Sequence, residues 1–140
     1  MVKRIGCMFG AAYLLAGGFS APHAAIPATE RTALIALYAG TNGDSWWNNT
    51  GWKTPPLDGD GFALPGTECS WYSVWCDVAE TTVQAIDLQS NLVSGSIPPE
   101  IGNLGGLVYL YLNNNQLLDA PPRNSRVSPI FSIFRSTAMA

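Results

Sequence analysis

The sequence predicts an α/β fold: the start of a solenoid of short parallel strands with an irregular or 3-10 convex side, preceded by a helical N-terminal cap pinned by a disulfide. Three observations predict this fold. From Val83 onward, apolar residues recur at a fixed offset of 24 positions, which is typical of stacked repeating units. Residues 29–39 carry apolar side chains at helical spacing. Cys69 and Cys76 lie between these two segments and could close a short covalent loop.

The composition is that of a packed domain with few charges. Of the 140 residues, 47% are hydrophobic and 12% are charged, and the formal net charge is −3. Removal of Lys3 and Arg4 would leave five cations against ten anions, or −5. Nucleic acids and anionic membrane surfaces are bound by clustered Lys and Arg, so neither is expected as a partner.

Residues 1–24 have the layout of a secretory signal peptide. A basic start at Lys3 and Arg4 is followed by the uncharged apolar run 5–19 and by an Ala-rich stretch, the order found in exported proteins. The run is shorter than the about 20 residues that a membrane-spanning helix needs. We therefore expect cleavage between Ser20 and Ala25 and no integral membrane span; an uncleaved anchor or an apolar helix is the alternative. The protein would then be secreted or at the cell surface, or periplasmic in a Gram-negative bacterium.

Cleavage would leave two cysteines, Cys69 and Cys76, and would remove the single histidine, His23. An even pair in an oxidising compartment favours a disulfide, which would stabilise the protein by about 2.5 kcal/mol. The alternative is a redox or metal pair. A reactive pair is usually spaced Cys-x-x-Cys and a zinc site needs four ligands, so no metal and no cofactor are expected.

The cap, residues 25–82, is predicted to begin with a helix over residues 29–39. Thr29 is a suitable N-cap, Glu30 lies in the first turn, where the helix dipole favours an acid, and Gly40 is well placed to end the helix. Its apolar face is formed by four residues: Ala33, Leu34, Leu37 and Tyr38.

Residues 40–68 are predicted to be a loop, because turn sequences alternate there with Pro55-Pro56. The loop contains three tryptophans: Trp46, Trp47 and Trp52. We expect them to pack in the core, since a small cap gains stability from each buried indole; a sugar-stacking platform is the alternative. Asp58 and Asp60 resemble the start of a calcium loop, but Phe62 takes the third ligand position, which favours a solvated turn.

The repeats, residues 83–118, number about one and a half to two. Five matches define the period of 24: Val83 with Leu107, Ile86 with Leu110, Leu88 with Leu112, Asn91 with Asn115 and Val93 with Leu117. Apolar residues at positions 1, 4, 6 and 11, with Asn at position 9, form the leucine-rich-repeat pattern. Positions 4 and 6 alternate on a short strand and point inward. The Asn side chain is expected to hydrogen-bond backbone groups at the bend, and Pro98 and Pro99 exclude a long convex helix.

Residues 92–104 resemble the plant-type leucine-rich repeat, with its L-x-G-x-I-P-x-x-I-G-x-L signature. The matching positions are Gly95, Ile97, Pro98, Gly102 and Leu104. The resemblance extends over about residues 29–118. It implies a binding scaffold: a curved solenoid whose concave sheet, and sometimes its flank, meets a protein, peptide or glycan.

The cap resembles the cysteine-paired cap of the same family. Cys69-x-Trp71-x-x-Val74-x-Cys76 is similar to the segment that precedes such repeats in receptor-kinase ectodomains and inhibitor proteins. The loop segments 41–46 and 49–52 resemble the bacterial and algal versions of this cap. The resemblance is therefore to a secreted protein of the bacterial or algal variety.

The candidate ligand-binding residues are the outward positions of the two predicted strands: Asp87, Gln89, Tyr109, Tyr111 and Asn113. The register places Asp87 beside Tyr111 and Gln89 beside Asn113. Tyr is enriched in recognition surfaces, and packing against a further repeat is the alternative role for the two tyrosines.

Without histidine, Ser-His-Asp and Cys-His chemistry have no base, so we predict a non-catalytic module that recognises a protein or peptide. A carbohydrate-binding surface protein, or the N-terminal fragment of a larger receptor or enzyme, are the rival hypotheses.

Residues 119–140 lack the repeat period. At the offset where a second Gly-x-Ile-Pro segment is due, the sequence reads Asp119-Ala-Pro-Pro122. We expect a disordered tail, or a chain altered there by truncation or a shifted reading frame. An uncapped last repeat would leave a strand edge open to self-association.

Overall fold

The computed structural model describes residues 25–118. The predicted signal peptide, residues 1–24, and the predicted non-repeat tail, residues 119–140, lie outside the described residues. No helix within residues 25–118 has both the length and the apolar character needed to cross a membrane.

The cap begins with helix α1, Ala28–Gly40, one residue longer at each end than predicted. Its predicted apolar face is buried against the core. The prediction that Thr29 caps the helix is wrong. Pro27 is the N-cap, and its carbonyl accepts the N–H groups of Glu30 and Arg31 at 2.9 and 3.1 Å. Pro27 has an extended backbone (φ −54°, ψ 143°), as N-cap residues usually do, and its side chain has no oxygen that could accept a hydrogen bond, so the helix starts without a side-chain cap.

An aromatic cluster fills the cap behind α1. Tyr38 lies 5.0 Å from Trp46 between ring centroids, and Trp52 lies 4.8 Å from Trp71. The core-packing prediction is therefore confirmed for Trp46 and Trp52. It is wrong for Trp47, whose side chain is 81% exposed. Trp46 has extended backbone (φ −63°, ψ 148°), and successive side chains of an extended chain point to opposite sides, so burying Trp46 turns Trp47 outward.

The loop contains no α-helix between residues 41 and 73. Two 3-10 turns occur there, Gly43–Ser45 and Glu68–Ser70. The turn that contains Asp58 and Asp60 was predicted to be a solvated turn, but it is hydrogen-bonded to α1. Asp60 accepts hydrogen bonds from Nε and Nη2 of Arg31 at 3.1 and 2.8 Å. Arg31 also pairs with buried Glu68, so one guanidinium joins the helix to two positions of the loop, Asp60 and Glu68.

Five short strands follow: β1 Val74–Cys76, β2 Val83–Asp87, β3 Ser94–Gly95, β4 Tyr109–Tyr111 and β5 Gln116–Leu117. β2 and β4 pair in parallel, with Ile86 opposite Leu110, as the 24-residue period predicts. β3 and β5 also pair in parallel. β1 was not predicted; it pairs antiparallel with β2 and makes a three-stranded sheet in the order β1-β2-β4.

The inward positions of the repeats are buried, as predicted. Four of them are Ile86, Leu88, Leu110 and Leu112, none more than 4% exposed. The convex side is a 3-10 turn, Pro99–Asn103, which packs on α1. The repeats therefore share one core with the cap, between the sheet and the helix.

The disulfide connects Cys69 to Cys76, with the sulfurs 2.00 Å apart and the Cα atoms 5.5 Å apart. The loop that it closes places Trp71 and Val74 in the core. Cys76 is also the last residue of β1, so the closed loop leads directly into the edge of the sheet.

Candidate ligand-binding face of the sheet

The side of the three-stranded sheet that points away from the core is here called the outer face. It carries the side chains of Trp75 on β1, Ala85 and Asp87 on β2, and Tyr109 and Tyr111 on β4. Gln89 and Asn113 lie two residues beyond the ends of β2 and β4. All five residues predicted from the sequence are thus neighbours on one surface.

One row of the outer face has an aromatic residue at each end. Trp75 lies opposite Ala85, and Ala85 lies opposite Tyr109. Since neighbouring strands are about 4.8 Å apart, the backbones of Trp75 and Tyr109 are roughly 10 Å apart. Trp75 is 65% exposed and Tyr109 is 46% exposed. The methyl group of Ala85 is too short to fill the space between two such side chains.

The next row pairs Asp87 with Tyr111, in the register that the sequence predicts. The rings of Tyr109 and Tyr111 stack on one another, with centroids 6.0 Å apart and planes 5° apart. Each ring therefore restrains the other along β4, which keeps an aromatic surface in place on the second repeat.

Polar side chains continue the outer face beyond the strand ends. Asn113 Nδ2 donates to Gln89 Oε1 at 3.3 Å. Gln89 in turn donates to the carboxylate of Asp87, from its backbone N–H and from Nε2, both at 3.2 Å. These three residues form one hydrogen-bonded chain, and its only charged group is the carboxylate of Asp87.

The charges around this face are strongly unbalanced. Residues 25–118 contain two cations, Arg31 and Lys53, and nine carboxylates, which sum to −7. Arg31 pairs with Asp60 and Glu68, and Lys53 pairs with Asp44 at 2.8 Å. Neither cation of the described segment lies on the outer face, so the electrostatics disfavour an anionic ligand there.

Sequence reasoning missed one residue of this face, Trp75. Its signal was the alternation of Val74 and Trp75 within the cysteine loop, where one side chain is buried and the next exposed. The alternation indicates an outward Trp75 only if residues 74–76 form a strand of the sheet, and the sequence did not predict that strand. Among residues 25–118, no group of three or more His, Cys, Asp or Glu side chains is placed to hold a metal ion.

The parallel register and the buried inward positions are features of a leucine-rich-repeat fold. Residues 82–104 match the model of the family described as Leucine Rich Repeat. A stretch of 49 residues is 52% identical to the LRR receptor-like serine/threonine-protein kinase FEI 2 of Arabidopsis thaliana; it covers 35% of this chain and 8% of that kinase. Residues 82–104 are thus a leucine-rich repeat, and the 49-residue stretch is similar to a plant protein of that type.

The matched stretch is less than a tenth of the length of that kinase. Among solved structures, the crystal structure of PEPR1-AtPEP1 aligns with a TM-score of 0.44 and 23% identity. The alignment covers 64% of this chain and 11% of that chain.

Proposed function

We propose that this protein is a secreted or cell-surface recognition module that binds a protein or peptide on the outer face of its sheet and does not catalyse a reaction. The observation that carries the proposal is the row of exposed aromatic side chains, Trp75 and Tyr109, in register beside the polar chain that starts at Asp87. The resemblance of a 49-residue stretch to a protein named as receptor-like supports a recognition role for the shared segment.

Aromatic side chains on a rigid sheet suit protein recognition. Tyr and Trp present a large contact area and are enriched among the residues that dominate binding energy. Backbone hydrogen bonds and the mutual stacking of Tyr109 and Tyr111 hold this surface in one arrangement. Less conformational entropy is then lost on binding than with a surface built on loops.

A peptide or protein ligand is favoured over a glycan because the sugar platform expected as the alternative does not form. Trp46 and Trp52 are buried, and only Trp47 of that loop is exposed. The polar residues of the outer face are able to pair with the main chain of a bound segment, since Gln89 and Asn113 carry both donors and acceptors. Binding of a glycan instead of a peptide or protein would contradict this proposal.

Secretion is supported by the signal-like layout of residues 1–24 and by the Cys69–Cys76 disulfide, because disulfides persist in oxidising compartments. Expression of the full chain in a secreting host tests it. We expect the medium to contain a protein whose N-terminus lies between residues 20 and 26. Retention of the uncut chain in the cell would contradict secretion and leave the binding proposal standing.

The binding test compares three forms of the full chain on a random-peptide array and on a polysaccharide array. We expect the wild type to select peptides. The double variant Tyr109→Ala/Tyr111→Ala should bind them at least about tenfold more weakly, as expected when central aromatic contacts are lost. Trp47→Ala, which removes an exposed indole outside the sheet, is the control and should bind like the wild type.

Circular dichroism on all three forms shows whether the fold is kept. Binding to polysaccharides alone, or peptide binding that the double variant retains, would overturn the proposal that this face binds peptides.

A further inference from the structure

We propose that the outer face selects an arginine side chain of the bound peptide or protein, held between Trp75 and Tyr109 and paired with Asp87. This inference rests on the proposed function and specifies the chemistry of the ligand. It depends on three observations: the aromatic row, the carboxylate next to it, and the charge of the surrounding protein.

The aromatic row offers two exposed aromatic side chains, Trp75 and Tyr109, with only a small residue between them. The backbones of Trp75 and Tyr109 are separated by two strand spacings, roughly 10 Å, and Ala85 supplies only a methyl group between them. A cation within about 6 Å of an aromatic ring is attracted by the electron density of its face. A long side chain with a charged planar end can therefore enter the gap and contact an aromatic ring.

Asp87 is the next outward residue along β2 after Ala85. Residues two apart on a strand are separated by about 7 Å, within reach of an arginine that lies over Ala85. Within residues 25–118 the Asp87 carboxylate accepts hydrogen bonds only from the neutral donors of Gln89, both at 3.2 Å. An ionised carboxylate has about four acceptor sites. Asp87 can therefore accept two further hydrogen bonds from a guanidinium in a bidentate salt bridge.

Two other carboxylates adjoin this sheet, and both are engaged by donors of the protein. Asp77 follows β1 and accepts the N–H groups of Thr81 and Thr82 and the hydroxyl of Thr81. Glu30 accepts Val83 N–H and the hydroxyl of Thr82 from the core side. The net −7 of residues 25–118 adds a long-range attraction for cations. Arginine is favoured over lysine because a planar guanidinium both stacks on a ring and forks onto a carboxylate.

The test measures binding of two peptides to the full chain by heteronuclear NMR. The first is acetyl-Gly-Ser-Arg-Ser-Gly-amide; the second carries citrulline, which has a similar shape and no charge, in place of arginine. We expect shifts at the Trp75 indole and the Ala85 methyl with the arginine peptide. The citrulline peptide should bind at least about tenfold more weakly, because a charge-assisted pair is roughly twice as strong as a neutral one. Salt should weaken the arginine complex, since exposed charges are screened.

Variants locate the site. Asp87→Asn and Trp75→Leu should each weaken the arginine peptide by at least about fivefold, and Asp87→Glu should restore most of the affinity lost in Asp87→Asn. Trp47→Leu is the matched control for the loss of an indole and should bind like the wild type.

Two outcomes overturn the inference. One is equal binding of the arginine and citrulline peptides by the wild type, which needs no variant to fold. The other is an unchanged affinity in both Asp87→Asn and Trp75→Leu. In either case, if the outer face still binds uncharged peptides, the proposed function stands and only the preference for arginine is contradicted. Failure of every peptide to bind this face would remove both proposals.

Discussion

The side chain of Asn91 forms a two-way hydrogen-bonded pair with the backbone of Asn48. Its Oδ1 accepts the N–H of Asn48 at 2.8 Å, and its Nδ2 donates to the carbonyl of Asn48 at 3.0 Å. Asn115, one period later, accepts the N–H groups of Asn91 and Val93 at 3.0 and 2.9 Å. Each asparagine thus bonds the backbone of the layer before it, and for the first repeat that layer is the cap loop.

Replacement of Asn91 by alanine should therefore uncouple the repeats from the cap. The N–H and carbonyl of Asn48 would lose their partner in a site where Asn91 is 2% exposed. Since an unsatisfied buried group costs about 1–3 kcal/mol, we expect Asn91→Ala to lower the free energy of unfolding by about 2–4 kcal/mol. Urea unfolding followed by circular dichroism measures it.

Asn113→Ala is the control for that experiment. Asn113 lies on the outer face and makes one side-chain hydrogen bond of 3.3 Å, so its loss should cost less than about 0.5 kcal/mol. Equal effects of the two substitutions would show that the buried asparagine does not couple cap and repeat.

The repeats could be predicted from the sequence because their period is a consequence of their geometry. A parallel register in which Ile86 lies opposite Leu110 requires the same residue type at the same offset. The asparagine bends were predictable for the same reason. The pairing of Asp87 with Tyr111 follows from the amino-acid sequence alone, since one period sets the register of the whole strand.

The cap could be predicted less completely because its elements depend on contacts distant in sequence. β1 has only three residues, Val74–Cys76, and becomes a strand by pairing with β2, as strand formation depends on context more than on intrinsic preference. Trp75 was missed with it. Arg31 likewise reaches Asp60 and Glu68, 29 and 37 residues away, a contact that no local pattern indicates.

Glu30 connects α1 to the first strand of the repeats. It was expected only to favour the helix dipole, but its side chain is 4% exposed and accepts the hydroxyl of Thr82 at 2.7 Å and the N–H of Val83 at 2.8 Å. We expect Glu30→Ala to reduce the free energy of unfolding by about 2–4 kcal/mol, because two donors at the start of β2 lose their acceptor.

Two further variants refine that expectation in thermal unfolding experiments. Glu30→Gln keeps one acceptor oxygen and should lose less than Glu30→Ala. Thr32→Ala, at an exposed position on the same helix, should remain within about 0.5 kcal/mol of the wild type. A Glu30→Ala protein as stable as Thr32→Ala would contradict this role of the carboxylate.

Gly95 explains why the plant-type signature has glycine at this position. Its φ is +88°, and a Cβ added there would lie 2.5 Å from the carbonyl oxygen of Gly40, at the end of α1. Both the left-handed backbone and the close approach exclude a side chain. Gly95→Ala should destabilise the protein by about 1–3 kcal/mol for the backbone alone, and the contact with Gly40 should add to that.

Gly105→Ala is the matched control for the glycine experiment. A Cβ at Gly105 would meet no atom within 4 Å, and its φ is not positive. Chemical denaturation of the two variants should show a large loss for Gly95→Ala and little change for Gly105→Ala. Comparable losses would contradict the role assigned to the left-handed backbone of Gly95 and to the approach of β3 to α1, because replacing glycine by alanine at a compatible position lowers the entropy of the unfolded chain and should not destabilise the protein.

The contact between Arg31 and Asp60 should make stability depend on pH. Burial raises the pKa of the Asp60 carboxyl, but hydrogen bonds from the N–H of Phe62 and from Arg31 outweigh it and hold that pKa below its ordinary value. The folded state thus favours the ionised form. Its contribution to stability is present above the unfolded pKa, about 3.9, and is lost as the pH falls through the folded pKa.

Asp60→Asn isolates this contribution. The variant should be less stable than the wild type at pH 6, and the difference should shrink toward zero as the pH is lowered from about 4 to 2, because the wild-type carboxyl then becomes neutral as well. Urea unfolding at pH 6, 4, 3 and 2 measures the difference. Asp58→Asn, at an exposed position in the same turn, is the control and should match the wild type at pH 6 within about 0.5 kcal/mol. A wild type that exceeds Asp60→Asn by the same margin at every pH would show that the carboxylate acts through packing and not through its charge on Arg31.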